Sequence, residues 1–359
     1  MKIYSVIMAG GVGERFWPES RRNLPKQFLK IVGSNTMIQE TVQRMSPLIP
    51  LKRVLIVSNV NHVSLIKGQL PALKSSQVLL EPFGRNTAPC IGLAAAFLNK
   101  HDPDAVMVVL PSDHVIAESK KFLELIQKAS EIANKEGALV TIGIKPVSAE
   151  TGYGYIQTGA KYPDGKSGKF FHVRKFFEKP TLKKAQAFVK DGHYLWNSGM
   201  FVWKVSAILE AMKTYLPELF KELQMIDRHL GTSRQEKAIL QMYKRVPKIS
   251  IDYGVMENAQ NVLVGLGDFV WDDVGAWSSL ERHYKKDSHG NVVIGDHVNI
   301  GAKDSIVISR DGVVATLGVK DLMIIHLPDA VLVMDKKRAQ EVKSLVEILK
   351  GHQKYQKYL

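Results

Sequence analysis

Cysteine and long apolar segments are scarce in this sequence of 359 residues. The single cysteine, Cys90, cannot form an internal disulfide, which agrees with a reducing compartment. No apolar run approaches the ~18 residues that a membrane-spanning helix needs, and no small-residue cleavage pattern follows the N-terminal apolar run. We therefore expect a cytoplasmic protein that does not use the membrane as a partner.

Acidic residues are outnumbered, with 35 Asp and Glu against 49 Lys and Arg, which gives a formal net charge of +14. Such a balance attracts anions, including nucleic acid, anionic lipid and phosphorylated metabolites. The lysines are spread along predicted helices, and no zinc-knuckle, helix-turn-helix or RNP pattern accompanies them. We therefore expect no nucleic-acid partner, although charge alone does not identify the anion.

The hydrophobic content of 45% lets this chain bury a large core and divide into two or three units. Up to about residue 145, strands alternate with helices, which predicts a doubly wound parallel sheet. The carboxyl ends of these strands should share one edge, where ligands bind in open α/β sheets. The predicted strands are 2–9, 53–59, 78–82, 105–111 and 138–144.

Later segments change character. Residues 151–204 predict antiparallel strands that form a second lobe over the sheet edge, and residues 205–245 predict helices. Ile294, Ile300 and Ile306 recur at a period of six, which is typical of a short parallel β-helix.

The last segment predicts a helix that Asp335 caps. An apolar stripe on this helix should pack on a surface, either its own or a partner's. The stripe consists of Val342, Leu345, Val346 and Leu349.

A glycine-rich loop follows the first strand. Gly10, Gly11 and Gly13 permit positive φ and let backbone N–H groups close on phosphate oxygens, and Arg15 and Lys26 supply positive charge. An ordinary tight turn between a strand and a helix is the alternative.

Two better-known phosphate loops are excluded. A dinucleotide-binding loop that starts at Gly11 and Gly13 needs a glycine at the position of Phe16. A Walker loop that ends at residues 165–167 needs a glycine at the position of Ala160, and it lacks the flanking strand and helix. We interpret residues 165–167 as a solvated loop.

Carboxylates stand where predicted strands end. Glu81 can accept two hydrogen bonds from one edge of a base, or it can form a surface salt bridge. Asp113 can reach a Mg²⁺ ion carried by phosphates, or it can cap a turn. Asp272 or Asp273 can supply a second metal ligand, with a paired-Asp turn as the alternative.

A third group of polar residues suits a sugar phosphate. Glu178 offers an acceptor for sugar hydroxyls, Lys179 a cation for a second phosphate, and Asn197 and Ser198 neutral hydrogen-bonding groups. A charged turn and a polar bend in a strand are the alternatives. Elsewhere, Asn86 or Thr87 should cap a helix that has Pro89 in its first turn.

Eight motifs occur in order along the chain, namely MAGGVGERFWP, LPKQF, EPFGRNTAP, PSDH, FFEKP, WNSGMF, SIDYGVME and WDDVGAW. Taken together, they resemble the motifs of the bacterial mannose-1-phosphate guanylyltransferases. The resemblance implies a Rossmann-like α/β nucleotidyltransferase domain with a mixed central sheet over residues 1–285. A short left-handed parallel β-helix with a C-terminal helix should follow over residues 286–359.

This resemblance also implies the reaction of GTP with mannose 1-phosphate to give GDP-mannose and pyrophosphate, with Mg²⁺ as the cofactor. The implied catalytic residues are Arg15, Lys26, Asp113 and Asp273, the last two also holding the metal. The implied nucleotide-binding residues are Ala9, Gly10, Gly11, Gly13, Arg15, Glu81, Gly84, Arg85, Asn86 and Ser112. Those implied for the sugar phosphate are Gly154, Glu178, Lys179 and Asn197.

Two departures from the family pattern matter. The chain has WDDVG where the resemblance leads us to expect WSDVG, so Asp272 stands beside the expected ligand Asp273. Longer relatives carry a phosphomannose isomerase domain after the β-helix, and this sequence stops at Leu359, so we expect no isomerase activity. We also expect a homodimer formed through the C-terminal unit.

Three alternatives stay open from the residues alone. A thymidylyl- or uridylyltransferase should differ at residues 81–89, and a non-enzymatic nucleotide sensor should lack a metal carboxylate or Lys179. A β-helix acyltransferase would need more coils and a catalytic histidine, for which His297 alone is weak support.

Overall fold

The computed structural model describes residues 1–163 and 168–359, so the loop at 165–167 lies outside the described residues. The strands are β1 Ile3–Ala9, β2 Val54–Asn59, β3 Val78–Glu81, β4 Val106–Pro111, β5 Val115–Ile116, β6 Leu139–Ile144, β7 Tyr155–Lys161, β8 Phe170–Phe177, β9 Tyr194–Lys204, β10 Val262–Gly267, β11 Trp271–Asp272, β12 Val292–Ile300, β13 Ile306–Leu317, β14 Leu322–Leu327 and β15 Ala330–Asp335. The α-helices are α1 Met37–Met45, α2 Val63–Gln69, α3 Thr87–His101, α4 Ser119–Glu136, α5 Leu182–Asp191, α6 Val205–Tyr215, α7 Pro217–Asp227, α8 Gln235–Arg245 and α9 Val342–Lys350. Among the described residues, no helix is long and apolar enough to cross a membrane.

Internal contacts divide the chain into two compact units. The first unit comprises Met1–Gly10, Thr41–Ser112 and Ile116–Trp271, and the second comprises Gly11–Glu40, Asp113–Val115 and Asp272–Leu359. The domain boundary after residue 285 stays a prediction.

The first unit is built on a nine-stranded sheet with the order β3-β2-β1-β4-β9-β6-β10-β8-β7. The five strands predicted from the sequence up to residue 145 are confirmed, and β1 to β4 pair in parallel. Because β9 runs antiparallel to both β4 and β6, these two strands point the same way and the sheet is mixed. The carboxyl ends of the five predicted strands therefore share one edge, as expected.

The prediction that residues 151–204 form a second lobe over the sheet edge is wrong. Strands β7, β8 and β9 are antiparallel, as predicted, but they belong to the same nine-stranded sheet. The reason is that β8 pairs with β10, a strand from much later in the chain, and this pairing extends the sheet.

Helix α3 begins as its sequence predicts, because the side chain of Asn86 accepts a hydrogen bond of 2.8 Å from the backbone N–H of Thr87. Inside this helix, a Cβ atom on Gly92 would lie 2.8 Å from Leu223 of α7 and 3.3 Å from Met212 of α6. The small residues of α3 therefore allow close packing on other helices. The helices predicted over residues 205–245 are confirmed as α6, α7 and α8.

Three consecutive parallel strands, β12, β13 and β14, give the second unit its β-helix-like part, and β15 returns antiparallel. Ile306 is buried, as the period of six predicts, but Ile300 is 66% exposed. The reason is a β-bulge between Ile294 and Asp296, which breaks the alternation of side chains along β12. Gly295 permits the bulge because it has φ 92°, and a Cβ atom there would collide with the carbonyl oxygen of Ser309.

The C-terminal helix packs on its own unit. Asp335 caps its first turn by accepting a hydrogen bond of 2.8 Å from the backbone of Lys337, although that turn is a 3-10 turn that leads into α9. The apolar stripe joins the core that contains Phe16 and Trp277. Of the two surfaces left open by the sequence, the helix's own unit is the one that covers the stripe.

Candidate active site

The glycine loop has one position where only glycine fits. Gly13 has φ 73°, in the left-handed region, and a Cβ atom there would collide with the Cβ atom of Lys26. Gly11 is outside the left-handed region, and a Cβ atom there would meet nothing within 4 Å. Gly13 therefore brings the loop against Lys26, and Gly11 leaves the loop backbone open.

A cleft of about 390 Å³ opens in the second unit beside this loop. It brings together five residues that the sequence assigned to phosphate and metal binding, namely Gly13, Arg15, Lys26, Asp113 and Asp273. The other lining residues are Val12, Glu14, Phe16, His114, Gly275 and Lys343. Cations and carboxylates thus line one cleft, a combination that suits phosphate groups accompanied by a metal ion.

Lys26 lies at the floor of the cleft and is only 4% exposed. Its ammonium group donates to Asp113 Oδ2 at 2.9 Å, to the carbonyl oxygen of Asp113 at 3.1 Å and to the carbonyl oxygen of Asp273 at 2.7 Å. These three bonds use all the protons of the ammonium group. Lys26 therefore fixes the two aspartate segments together.

Asp113 stays ionised in this setting. Burial raises the pKa of its carboxyl, but the Lys26 ammonium and, to a smaller extent, His114 outweigh burial and hold the pKa below its usual range. A charged carboxylate at the wall of a cleft is a hard oxygen donor of the kind that Mg²⁺ prefers.

Arg15 stands at the rim of the cleft. Its guanidinium donates to the carbonyl oxygen of Gly275 at 3.3 Å, and its side chain is exposed. This exposed position leaves further guanidinium protons for a ligand. Lys343 of α9 also lines the cleft, and sequence reasoning missed it because the helix pattern alone gave the residue no chemical context.

The two aspartates of WDDVG have different roles. Asp272 is buried, and its carboxylate accepts from Arg282 at 2.6 and 2.7 Å, from His283 at 2.7 Å and from the backbone of Val274 at 2.8 Å. Burial opposes ionisation, but these hydrogen bonds, that of His283 first, lower the pKa of Asp272 far below its usual range. The carboxylate of Asp272 is thus fully engaged in the protein, and Asp273 is the one that lines the cleft.

The donor set of the cleft fits a metal ion that also binds the substrate. Among residues 1–163 and 168–359, no group of three or more His, Cys, Asp or Glu side chains is placed to hold a metal. Asp113 and Asp273 are two carboxylates in one cleft. Mg²⁺ is commonly held by one or two carboxylates together with substrate phosphates, so this pair fits it.

The residues implied for the nucleoside gather in the first unit, around Glu81. This side chain is only 4% exposed, so the alternative of a surface salt bridge is wrong. Tyr243 of α8 donates to Glu81 Oε1 at 2.9 Å, and a Cβ atom on Gly10 would lie 2.7 Å from Oε2. Burial raises the pKa of Glu81 to about 7, and the hydrogen bond from Tyr243 opposes that rise.

Other implied nucleotide-binding residues of this unit lie in the chain near Glu81 or at the ends of strands. The guanidinium of Arg85 donates to the carbonyl oxygen of Tyr243 at 2.9 Å, and Gly84 leaves open space where a Cβ atom would stand. Ala9 and Ser112 are buried beside the ends of β1 and β4, where the Ala9 carbonyl oxygen accepts from Ser58 and the Ser112 carbonyl oxygen accepts from Thr41. Their role in nucleotide binding stays a prediction.

The residues implied for the sugar phosphate also meet in the first unit. A Cβ atom on Gly154 would lie 2.6 Å from Glu178 Oε2, and the backbone of Asn197 donates to the carbonyl oxygen of Gly154 at 2.8 Å. Lys179 is exposed, has φ 43°, and its ammonium lies 3.5 Å from Glu178 Oε1. Ser198 does not contribute a free hydroxyl, because it donates to the carbonyl oxygen of Ile142 at 2.6 Å inside the sheet.

Asp252 belongs to this group, and sequence reasoning missed it. Asn197 Nδ2 donates to Asp252 Oδ1 at 2.6 Å, and Asp252 is half-buried. Burial raises the pKa of Asp252 to about 6, with a further rise from the charge of Glu178 and an opposing effect from the Asn197 bond. The motif SIDYGVME contains this residue, but no spacing in the sequence linked it to Asn197.

His297 lacks the setting of an acyltransferase base. Its ring shares a hydrogen bond of 2.8 Å with the hydroxyl of Thr316, across the pair β12 and β13. His297 therefore has a structural role, in which it links two neighbouring strands of the β-helix-like part. The acyltransferase alternative is left without support.

Known proteins match nearly the whole chain. The family described as Nucleotidyl transferase matches residues 4–289, and the MannoseP isomerase/GMP-like beta-helix domain matches residues 295–349. Mannose-1-phosphate guanylyltransferase of Escherichia coli (strain K12) is 40% identical over 358 residues, which cover 98% of this chain and 74% of that protein. The protein of the same name from Klebsiella pneumoniae is 41% identical over 353 residues, which cover 97% of this chain and 74% of that protein.

A solved structure agrees with these matches. The crystal structure of mannose-1-phosphate geranyltransferase from Thermus thermophilus has a TM-score of 0.87 and 37% sequence identity, and the match covers 98% of this chain and 100% of that one. This chain belongs to the nucleotidyl transferase family and, within it, to the mannose-1-phosphate guanylyltransferases.

Proposed function

We propose that this protein transfers the guanylyl group of GTP to mannose 1-phosphate, which gives GDP-mannose and pyrophosphate. The observation that carries the proposal is the cleft in which Arg15, Lys26 and Lys343 stand with Asp113 and Asp273. Phosphoryl and nucleotidyl transfer depend mainly on in-line positioning and on neutralising the charge of phosphate oxygens. A cleft that combines cations with carboxylates has the chemistry for both.

The triphosphate is the proposed ligand of this cleft. The backbone around Gly11 and Gly13 would contact phosphate oxygens, and Arg15 at the rim would stabilise charge on the leaving pyrophosphate. Lys26 would act through Asp113 and Asp273, since its three protons are bound to their oxygens.

Asp113 and Asp273 are the proposed ligands of Mg²⁺. The ion would neutralise phosphate charge when it is bound there. Since Asp272 is held by Arg282 and His283, it should not share the metal.

The first unit supplies the proposed contacts to the base and the sugar. Glu81 would accept hydrogen bonds from guanine, because a carboxylate matches the adjacent N1–H and N2 amine of that base. Glu178 and Asn197 would bind mannose hydroxyls, and Lys179 would bind the sugar phosphate, which its exposed ammonium can approach. With both substrates bound, the phosphate oxygen of the sugar would attack the α-phosphorus directly, without a protein nucleophile.

Pyrophosphate release from an array of nucleoside triphosphates and hexose 1-phosphates tests the proposal. GTP with mannose 1-phosphate should give the highest kcat/KM. A higher value for TTP or UTP with glucose 1-phosphate would show a thymidylyl- or uridylyltransferase instead. Binding of nucleotide with no turnover of any pair would show a sensor.

We also propose that the protein works in the cytoplasm as a homodimer formed through the second unit. The apolar stripe of α9 is covered, so the proposed interface uses a different apolar surface. Ile300 and Leu317 are paired across β12 and β13, and are 66% and 73% exposed. Such a patch is typical of an interaction surface.

Sedimentation of the full chain tests this assembly. Ile300→Asp and Leu317→Asp should each lower the measured mass to that of the monomer, and Ile348→Asp, on the exposed face of α9, should leave it unchanged. A wild-type mass equal to that of one chain would contradict the dimer. Loss of the dimer in Ile348→Asp alone would place the interface on α9.

A further inference from the structure

Tyr243 was outside every motif that pointed to chemistry, yet it makes a buried contact to the carboxylate proposed to recognise the base. Its hydroxyl donates to Glu81 Oε1 at 2.9 Å from helix α8, 162 residues later in the chain. The ring of Tyr243 packs edge-on against Phe83 with centroids 6.1 Å apart. Its carbonyl oxygen accepts from Arg85. One residue thus contacts three positions of the segment 81–85.

The second oxygen of Glu81 points elsewhere. Oε2 lies beside Gly10, whose backbone is exposed and where a Cβ atom would be 2.7 Å away. Since Tyr243 occupies Oε1, Oε2 is the oxygen that stands against the first glycine of the loop. The bond from Tyr243 therefore fixes the carboxylate through Oε1, and Oε2 faces Gly10.

We infer that Tyr243 is a positioning residue for base recognition, which holds Glu81 ionised with Oε2 as the acceptor for guanine. This inference rests on the proposed function. A hydrogen bond to the charged form of a carboxyl favours that form, and burial alone disfavours it. The hydroxyl of Tyr243 therefore opposes the effect of burial on the pKa of Glu81 and favours its ionised form.

The ionisable neighbours of Glu81 do not offer another control of its charge. From α3, the buried thiol of Cys90 stays neutral, because burial and then the charge of Glu81 raise its pKa well above the usual range. From α8, Tyr243 also stays neutral, since burial and the charge of Glu81 raise its pKa well above the usual range. The guanidinium of Arg85 is directed to the Tyr243 carbonyl oxygen and the Phe83 ring.

The direction of the pH effect follows from these contacts. The pKa of Glu81 is raised to about 7, so its carboxylate is lost as the pH falls through that value. Removing the Tyr243 hydroxyl removes a contact that lowers this pKa, so the loss should begin at a higher pH. GTP binding should then weaken near neutral pH and recover in alkali.

Tyr243→Phe tests the inference, because it removes only the hydroxyl and keeps the ring. The KM for GTP is measured from about pH 6 to about pH 9 at saturating mannose 1-phosphate, with GDP binding by calorimetry as a readout that needs no turnover. We expect the variant's KM to be about threefold to tenfold above the wild type near pH 7 and within about twofold near pH 9. The kcat and the KM for mannose 1-phosphate should not change.

Two further variants complete the experiment. Tyr215→Phe, on α6, is the matched control and should keep the wild-type profile. Glu81→Gln removes the titrating group, so its KM for GTP should vary little with pH, and adding Tyr243→Phe to it should not restore a pH dependence. Thermal melting checks that each variant is folded.

The activity of the wild type distinguishes a failure of the proposed function from a failure of the role inferred for Tyr243. If the wild type neither turns over GTP nor binds GDP, both fail. If the wild type is active and the Tyr243→Phe profile superimposes on it, or is raised equally at every pH, the inference alone is overturned, because the residue is then only a packing element.

Discussion

The carboxylate of Asp113 is held in the cleft by a buried lysine, Lys26. Lys26 holds both its carboxylate and its carbonyl oxygen, and it also holds the carbonyl oxygen of Asp273. Asp113→Asn keeps the shape of the side chain and removes the charge that would face Mg²⁺. Turnover should fall by about 10²-fold or more, as it does when other preorganised charge stabilisers are lost.

The control for Asp113→Asn is a titration of the variant with Mg²⁺. Turnover is measured over a wide range of Mg²⁺ concentrations, together with the melting temperature. Near-wild-type turnover at saturating Mg²⁺ would show that Asp113 does not hold the metal.

Asp272 should matter for stability and not for the metal. Asp272→Asn weakens the bonds to Arg282 and His283 and should lower the free energy of unfolding by roughly 2 to 3 kcal/mol. Denaturant unfolding measures this change, and Asp296→Asn, at an exposed carboxylate of β12, is the control. A loss of Mg²⁺ affinity without a loss of stability would reverse the roles of Asp272 and Asp273.

The same aspartate predicts an acid response. Because the pKa of Asp272 is far below its usual range in the folded protein, its contribution to stability is present above the unfolded pKa of about 3.9. It is lost progressively as the pH falls below that value toward the folded pKa. The stability difference between wild type and Asp272→Asn should therefore shrink in acid, and a difference that stays constant below about pH 4 would contradict the assignment.

At the scale of elements, the glycine loop offers a matched pair of substitutions. Gly13→Ala forces a side chain into the left-handed region and against Lys26, so it should destabilise the protein by at least about 1 to 2 kcal/mol. Gly11→Ala meets open space and should leave the melting temperature almost unchanged. Equal losses in the two variants would show that the loop is not packed as described.

Helix α9 is predicted to take part in nucleotide binding as well as in packing. Lys343 stands in the cleft, and Lys350 of the same helix pairs with Glu14 at 2.5 Å. Lys343→Ala should raise the KM for GTP by about threefold to tenfold, the effect of one exposed or partly exposed charge contact to phosphate. Steady-state kinetics of Lys343→Ala are compared with those of Lys337→Ala. Lys337 is an exposed lysine that does not line the cleft. Equal KM values in the two variants would remove Lys343 from the site.

Across the whole molecule, the sequence predicts well those features that depend on residues close together in the chain. Buried parallel strands are short β-branched runs, so β1 to β4 and β6 could be located along with the polar residues after them. The cap at Asn86 and the helices over 205–245 depend on neighbouring residues, and they were also predictable. Gly13 and Asp113 of the cleft follow predicted strands in the chain, so they could be selected as candidate ligand-binding residues.

What the sequence could not predict depends on distant pairings. The extension of the sheet by β8 depends on β10, and the environment of Glu81 depends on Tyr243, far along the chain. Asp272 and Asp273 are identical neighbours, and only the position of Arg282 and His283 distinguishes them. The bulge at Gly295 changes the face on which Ile300 lies, which a six-residue period does not reveal.

We propose that transfer of the guanylyl group is direct and depends on positioning and charge neutralisation, without a protein nucleophile. The stereochemistry at the α-phosphorus tests it most directly. The chain is supplied with mannose 1-phosphate and the GTPαS diastereomer that it accepts, and the configuration of the thio-substituted GDP-mannose is determined by ³¹P NMR. A single in-line displacement predicts inversion at phosphorus. Retention would require a covalent guanylyl-protein intermediate and would contradict the account.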